Sequence, residues 1–509
     1  VKRPIKRAQA QRISLPAPIQ GIVESQPAAA KGPLTAEWME NFLPTQRGLQ
    51  VRGGTQEFAD VTDPVKTLFT FKSGTLNKIY AATADTVYDI TTTETSVVSS
   101  LTSGDWSAQQ IGVSGGDYLV IVNGEDEGRI YDGTSWSSLS VTGVTTSDLS
   151  DVWLYRNRLF FIEKDSLKVW YLSAGSIAGT ASDTTLAGIF RRGGSLLMGS
   201  TWSLDSGDGI DDKCVFISTQ GEVAVYSGSD PSDATTWALE GRYDIGKPIG
   251  KRATMQAGGD LLVATVDGIV PISQAIQKDP AALSLAAVSR PIKATWSDEV
   301  RQSDEDVELH KWTKENLMLT VFPSSSRMLT ANLQTGAWAF QTGWVGTCAT
   351  IFQDEAYVGR EDGKVIQINV GGFDLEDSFT ARVCYSFSDL GDPTQYKAAT
   401  MARGAFYADA DFLAKYEVSV DYNVSFAAAP NISAVNTSDL IWGTGVWGTN
   451  TWARNVGDPR RGVVGLWSSV AATGYAIAPV VQISSGSSIK LPVELVAVDV
   501  LLEAGGRAS

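Results

Sequence analysis

Residues 349–370 read ATIFQDEAYVGREDGKVIQINV, and this stretch decides the fold. Three short runs, 349–352, 355–359 and 364–370, alternate apolar and polar residues at the period of a half-buried strand. The second break carries Asp362-Gly363. A two-residue hairpin turn of that kind needs positive φ, which glycine supplies without steric cost. The stretch therefore predicts three antiparallel strands.

The same plan recurs upstream. Runs at 68–71, 78–83 and 86–90 form one cluster, 109–113, 118–123 and 129–131 the next, and 152–155, 158–163 and 167–172 a third. Further clusters lie at 214–219 with 222–226, at 252–256 with 261–266 and 269–272, and at 317–322 with 327–333. Gln220-Gly221 and Asp267-Gly268 repeat the turn chemistry, and polar turns lead into Trp136 and Trp338. Spacing centres on roughly 45 residues, the length of a four-stranded propeller blade. The pattern predicts an all-β chain with a β-propeller of about seven blades over 56–375. A helical insertion is expected near 279–303, where Asp279-Pro280 makes an N-terminal cap and 289–292 an end.

Outside that region the rhythm changes. Residues 1–55 predict an extended N-terminal arm, with a short helical or irregular piece at 36–43 broken at Pro44. Residues 376–509 predict a β-sandwich-like C-terminal domain with strands at 380–387, 405–407, 416–424, 462–468, 474–483 and 490–502. Trp442, Trp447 and Trp452 mark an aromatic loop expected at a subunit contact. Gly443-Thr444-Gly445-Val446-Trp447-Gly448 spells the dinucleotide fingerprint, but no helix pattern follows it, so no cofactor is assigned.

Charge and chemistry narrow the function. Of 509 residues, 41 are Lys or Arg and 57 Asp or Glu, a net charge of −16. Phosphate-gripping proteins need the opposite balance. The exception is the start, where Lys2, Arg3, Lys6, Arg7 and Arg12 precede the first acid, Glu24. This basic stretch is expected to dock on an acidic neighbour. It leads into no apolar run, so it predicts no signal peptide, and no run is long enough for a membrane-spanning segment. Cys214, Cys348 and Cys384 lack zinc or redox spacing and are expected as core thiols. The acids of 205–212 do not fit a known cation loop, and no metal site is assigned. His310 is the single histidine, and no nucleophile elbow or phosphate loop is present. No catalytic residue is assigned.

Three stretches together resemble the tail nozzle (hub) proteins of short-tailed bacteriophages. They are Asn41-Phe42-Leu43-Pro44 with Gly48-Leu49-Gln50-Val51-Arg52-Gly53-Gly54, then Ser289-Arg290-Pro291-Ile292 with Trp296, then 494–506, reading ELVAVDVLLEAGG. The resemblance implies a structural virion protein made in the bacterial host cytoplasm. It implies a homo-hexamer below the portal adaptor, support for tail fibres or a tail plug, and genomic DNA passing through the lumen without specific binding. The basic residues at the start would then meet the adaptor. The alternative is a carbohydrate-binding or glycan-cleaving propeller acting on a host surface.

Overall fold

The computed structural model describes residues 10–203, 212–303, 306–408, 412–431, 461–486 and 489–507. The chain forms two compact units, one of 57–328 with 345–367, the other of 1–56, 329–344 and 368–509. This division differs from the linear order expected: 329–344 groups with the two ends of the chain rather than with the propeller.

The first unit contains a six-bladed β-propeller. In the first blade Thr67–Ser73, Leu76–Ala82, Thr86–Asp89 and Thr95–Ser99 pair in sequence order. The next sheets occupy 107–138, 149–185, 196–244 and 254–271, the last with three strands. The sixth is Cys348–Phe352, Glu355–Gly359 and Lys364–Ile368, completed on its outer side by Thr55–Asp60. A strand from the front of the propeller sequence thus closes the ring on the last blade. The hairpin Glu308–Trp312 with Leu317–Val321 packs between the inner strands Thr254–Ala257 and Cys348–Phe352. Gly221, Gly268 and Gly363 have φ of 79°, 131° and 85°, the turn conformation their positions predicted.

Burial explains why the blades need one another. Apolar residues gather between adjacent blades: Phe69, Tyr80 and Trp106 with Leu119 and Tyr131, then Val120 and Ile130 with Val152 and Phe161. Trp153 and Phe160 meet Phe216 and Tyr226 in the next gap. Leu68 and Ile79 of the first blade meet Cys348, Tyr357 and Val365 of the last. Each blade has two apolar faces, and only a neighbour on either side removes both from water.

The insertion begins earlier than the sequence suggested, with a helix at Ile272–Gln277. Asp279 does cap, accepting from the Ala281 N–H at 2.9 Å, but the turn it starts is a single 3-10 turn, Pro280–Ala282. The helix Leu283–Ala286 ends before 289–292, and those residues lead through a 3-10 turn, Arg290–Ile292, into the insertion's longest helix, Lys293–Gln302.

In the second unit one sheet orders Phe42–Pro44, Leu49–Val51, Val493–Arg507 and Gln395–Ala408. Gln11–Pro16 also pairs with Val493–Arg507, while Arg461–Val464 and Ser468–Gly474 line the far side of Gln395–Ala408. Strand neighbours elsewhere in the unit run Trp338–Gln341, Ala36–Glu40, Phe379–Tyr385, Ile477–Ser485 and Ala414–Val420. Ala402, Gly404, Phe406 and Ala408 are buried, and across the register shift near Ala399 the buried positions become Lys397 and Ala399. All nine residues of Ile477–Ser485 are buried. The region expected as helical or irregular at 36–43 is instead strand, and Pro44 ends a strand rather than breaking a helix. Within the expected extended arm, Gln11–Pro16 is a strand paired with Val493–Arg507. Among the described residues no helix is long and apolar enough to cross a membrane.

Candidate functional site

The inner strands of the propeller begin at one end of the ring, and a network of charged side chains gathers there. Lys251 and Arg252 precede the strand Thr254–Ala257, and Asp105 precedes Ser107–Val113. In the ring order two inner blade strands separate these positions on each side, with the Glu308–Trp312 strand standing among those of one side, so a bond between them spans the ring. The Lys251 Nζ lies 2.8 Å from one Asp105 carboxylate oxygen, and Arg252 Nη1 binds the other. Arg252 Nε donates to Glu308 at 2.5 Å. The second Glu308 oxygen accepts the Ala349 N–H at 2.9 Å and lies 2.9 Å from His310 Nε2.

Shorter polar contacts tie the inner strands around the same end. Thr67 Oγ1 donates to the Gly104 carbonyl at 2.8 Å and accepts the Trp106 N–H. Ser107 Oγ donates to Asp151 at 2.6 Å, and the other Asp151 oxygen accepts the Gly199 N–H at 2.9 Å. Gln256 donates to the Thr201 carbonyl at 2.7 Å, and Thr347 donates to the Val65 carbonyl. The propeller axis is bolted from both sides and around its rim.

Electrostatics follows the geometry. Burial pushes the Asp105 carboxyl up, but the charges and hydrogen bonds of Arg252 and Lys251 outweigh it and hold the group at about 2. Burial likewise opposes ionisation of Glu308, and the Arg252 charge with the His310 and Ala349 bonds lowers it below the usual range. Burial weakens the Arg252 charge, and Glu308 and Asp105 together more than restore it. Asp151 goes the other way: burial raises it, despite its Ser107 and Gly199 donors. Its acidity is spent on holding strands, because every polar contact it makes is to protein.

A cavity of about 910 Å³ lies in the propeller unit, bordered by Gln109, Trp153, Asn157, Ser200, Thr201 and Gln256 among others. Trp153 packs its ring where a Gly199 Cβ would stand, 2.4 Å away, so its face is committed to packing. Among the described residues no three His, Cys, Asp or Glu side chains converge as metal ligands.

The residues singled out from the sequence divide cleanly. Asn41, Arg52 and Gly53 meet in the second unit. Arg52 is fully buried and donates to both Asp374 oxygens at 2.7 Å, to the Gly53 carbonyl at 2.8 Å and to Asn41 Oδ1 at 2.8 Å. Its guanidinium lies 3.9 Å from the Phe379 ring centroid. Asn41, at φ 59°, also donates to Thr342 and to the Thr380 carbonyl. Gly53 donates to Asn369 Oδ1 at 2.7 Å, and a Cβ there would stand 2.4 Å from the Asn369 carbonyl. Gly48 is similarly closed in, by the Leu495 carbonyl, and the Pro44 carbonyl accepts from Asn332.

In the propeller unit Ser289 Oγ accepts the Ile269 N–H, Ile292 is buried and Arg290 is exposed. Trp296 donates to the Thr265 carbonyl at 3.0 Å and meets Phe322 edge-on. Arg12, expected to dock on a neighbour, binds Asp499 of its own chain at 2.9 Å. Lys2, Arg3, Lys6 and Arg7, Trp442, Trp447 and Trp452, and all of the 205–212 loop except Asp212 lie outside the described residues. Cys214, Cys348 and Cys384 are buried and unpaired, and burial raises all three thiols, Cys384 to about 12. Lys251, Arg252, Asp105 and Glu308 were not singled out; a buried charge carries no local pattern when its partner is far along the chain.

No protein-family model matches the chain, and no curated protein matches it. Among solved structures, the computationally designed Ika8 protein aligns at 13% identity and a TM-score of 0.37, over 69% of this chain and 99% of its own. YCF48 bound to D1 peptide aligns at 11% identity and a TM-score of 0.36, over 62% of this chain and 95% of its own.

Proposed function

We propose that the chain is a structural subunit, and that it serves as the tail nozzle of a short-tailed phage virion. In this reading six copies form a ring below the portal adaptor, carry fibres or a plug, and line the route by which genomic DNA leaves. The observation that carries the architectural reading is the bolted axis. Asp105, Lys251, Arg252, Glu308 and His310 spend their charges on one another across the ring, which suits a rigid body better than a mouth that must open to a substrate. The hairpin Glu308–Trp312 with Leu317–Val321 is then the inner half of a seventh blade. The nozzle reading itself rests on the residues of 41–54, 289–296 and 494–506. The fixed bonding of Asn41, Arg52 and Gly53 agrees with a stretch kept for structure.

Acidic walls suit a conduit, because a net charge of −16 per copy repels phosphate and discourages adhesion. The cations at 2, 3, 6 and 7 are the part assigned to the adaptor. Light scattering on the full chain, alone and with adaptor–portal complexes, tests the proposal. A ring-sized assembly in either sample is expected; a monomer in both would refute it.

The cavity of about 910 Å³ favours the second reading, a glycan-binding or glycan-cleaving propeller, because its amide and hydroxyl lining suits sugar hydroxyls. Saturable binding of surface glycans by a monomer, lost in Gln256→Ala, would select it.

A further inference from the structure

Four strands of the second unit run in alternating directions: Gln11–Pro16, Val493–Arg507, Gln395–Ala408, then 461–474. Both outer strands are hydrogen-bonded on one side only among the described residues. An unpaired edge is a template for another strand, and proteins that stay monomeric guard it with charge or proline. The 461–474 edge begins with one charge, Arg461, and the residues beyond it, 462–474, GVVGLWSSVAATG, contain neither charge nor proline. Leu466 is 89% exposed and Val464 56%. At the opposite edge the one charge, Arg12, is already held by Asp499, and the single proline, Pro16, stands at the strand's last position, which leaves 11–15 open.

We propose that the 461–474 edge of one copy pairs with Gln11–Pro16 of the next, so that the sheet continues head to tail from copy to copy. The inference deepens the ring reading above and rests on it. Two observations choose a second copy as occupant. The outer strands run in opposite directions, so the next copy's first strand arrives antiparallel, continuing the alternation. The contact consumes both open edges, whereas pairing two 461–474 edges about a two-fold axis would leave both Gln11–Pro16 edges open. A polar row already crosses the sheet: Asp499 binds Arg12 and Arg403, and Arg403 lies 4.5 Å over the Trp467 ring. The row ends at the edge that the next copy would meet.

The test uses full-length chains carrying one added cysteine each, since the native three are buried. Ser14→Cys protein is mixed in turn with Ser469→Cys and with Thr473→Cys protein and oxidised. Cross-linked dimer is expected in at least one mixture and in no variant alone. A second measurement places guard charges at exposed edge positions, Val464→Lys with Thr473→Lys. Assembly should weaken at least tenfold while circular dichroism is unchanged. Cross-linking of Ser469→Cys or Thr473→Cys protein with itself alone would show two-fold pairing and overturn the proposal. Rings that form without cross-links and ignore the lysines would overturn this interface but leave the ring reading standing. A chain monomeric at every concentration and on adaptor–portal complexes would overturn both.

Discussion

Glu308→Gln is the most incisive perturbation of the bolt. Glu308 is 1% exposed and serves Arg252, His310 and the Ala349 N–H at once. Glutamine keeps the shape and one acceptor, but turns the other oxygen into a donor facing a donor and leaves the Arg252 charge undercompensated. Removing one member of a buried pair costs about 3–5 kcal/mol. The retained acceptor lowers the expected loss to about 2–4 kcal/mol. Asp105→Asn offers the contrast within the same network. The Asp105 side chain is 46% exposed, so its pairs are screened, and the expected loss is about 1 kcal/mol. Urea unfolding followed by tryptophan fluorescence reads both, since Trp106 and Trp312 are buried in the propeller unit. The midpoint should fall with little change in slope. Glu308 and Asp105 both have folded pKa values below their unfolded ones, so their contribution is complete above the ordinary carboxylate range near ~4. It is lost as pH falls from there through the folded values, which for Asp105 means about 2. Glu308→Gln should flatten that acid loss. A midpoint within error of the unaltered chain, or an Asp105→Asn loss as large as that of Glu308→Gln, would refute the account of the buried leg.

Other perturbations separate the remaining devices. Arg52→Lys keeps the charge but loses the fork to Asp374 and the bond to Asn41, so the second unit should lose at least about 3 kcal/mol, read by hydrogen exchange of 36–52. Gly199→Ala places a Cβ 2.4 Å from the Trp153 ring, and the propeller should lose about 1–3 kcal/mol in the urea assay. Asp151 has a folded pKa above its unfolded one, so its relative contribution is greatest below the unfolded value and fades as pH rises through the folded one. Asp151→Asn should therefore sit within about 1 kcal/mol of the unaltered chain at neutral pH and lose that dependence as pH rises above the ordinary carboxylate range. Replacing Asp105, Arg252 and Glu308 together by leucine, methionine and leucine should retain stability within about 2 kcal/mol while broadening the tryptophan emission and the exchange pattern of the blades.

The blades were legible because each is local. Strand, turn and strand lie within a few tens of residues, and Gly221, Gly268 and Gly363 announce their turns by conformational need. What was not legible joins distant residues. Thr55–Asp60 completes a sheet whose other strands lie beyond residue 347, and no periodicity near 55 declares that partner. Residues 36–43 contain Trp38, Met39, Phe42 and Leu43 at spacings compatible with a helix turn. Pairing of Ala36–Glu40 with Phe379–Tyr385 overrides that preference. Arg12 looked free because the acid that holds it lies 487 positions away. The site shows the same limit: His310 was noticed for its rarity, but its role depends on Glu308 beside it and on Arg252 and Asp105 from other blades.

The bolt makes best sense as a device for specificity. Blades built on one plan offer similar apolar faces, so an apolar core alone discriminates weakly between a correct ring and one closed with a blade missing or displaced. Ion pairs behave differently, because a charge left buried without its partner costs several kcal/mol whereas a methyl group in a slightly different hollow costs little. Lys251 and Arg252 meet Asp105 only when the intervening inner strands are all in place on each side, and Glu308 reaches Arg252 and Ala349 only when its hairpin lies between their strands. The buried leg through Glu308 therefore carries the largest penalty for a misplaced hairpin, and the half-exposed Asp105 pair adds a smaller one for a missing blade. The same logic applies to Arg52 in the second unit, which joins Asn41, 11 residues away, to Asp374, 322 residues away. Both ionic sites lie where segments far apart in sequence must agree on one arrangement.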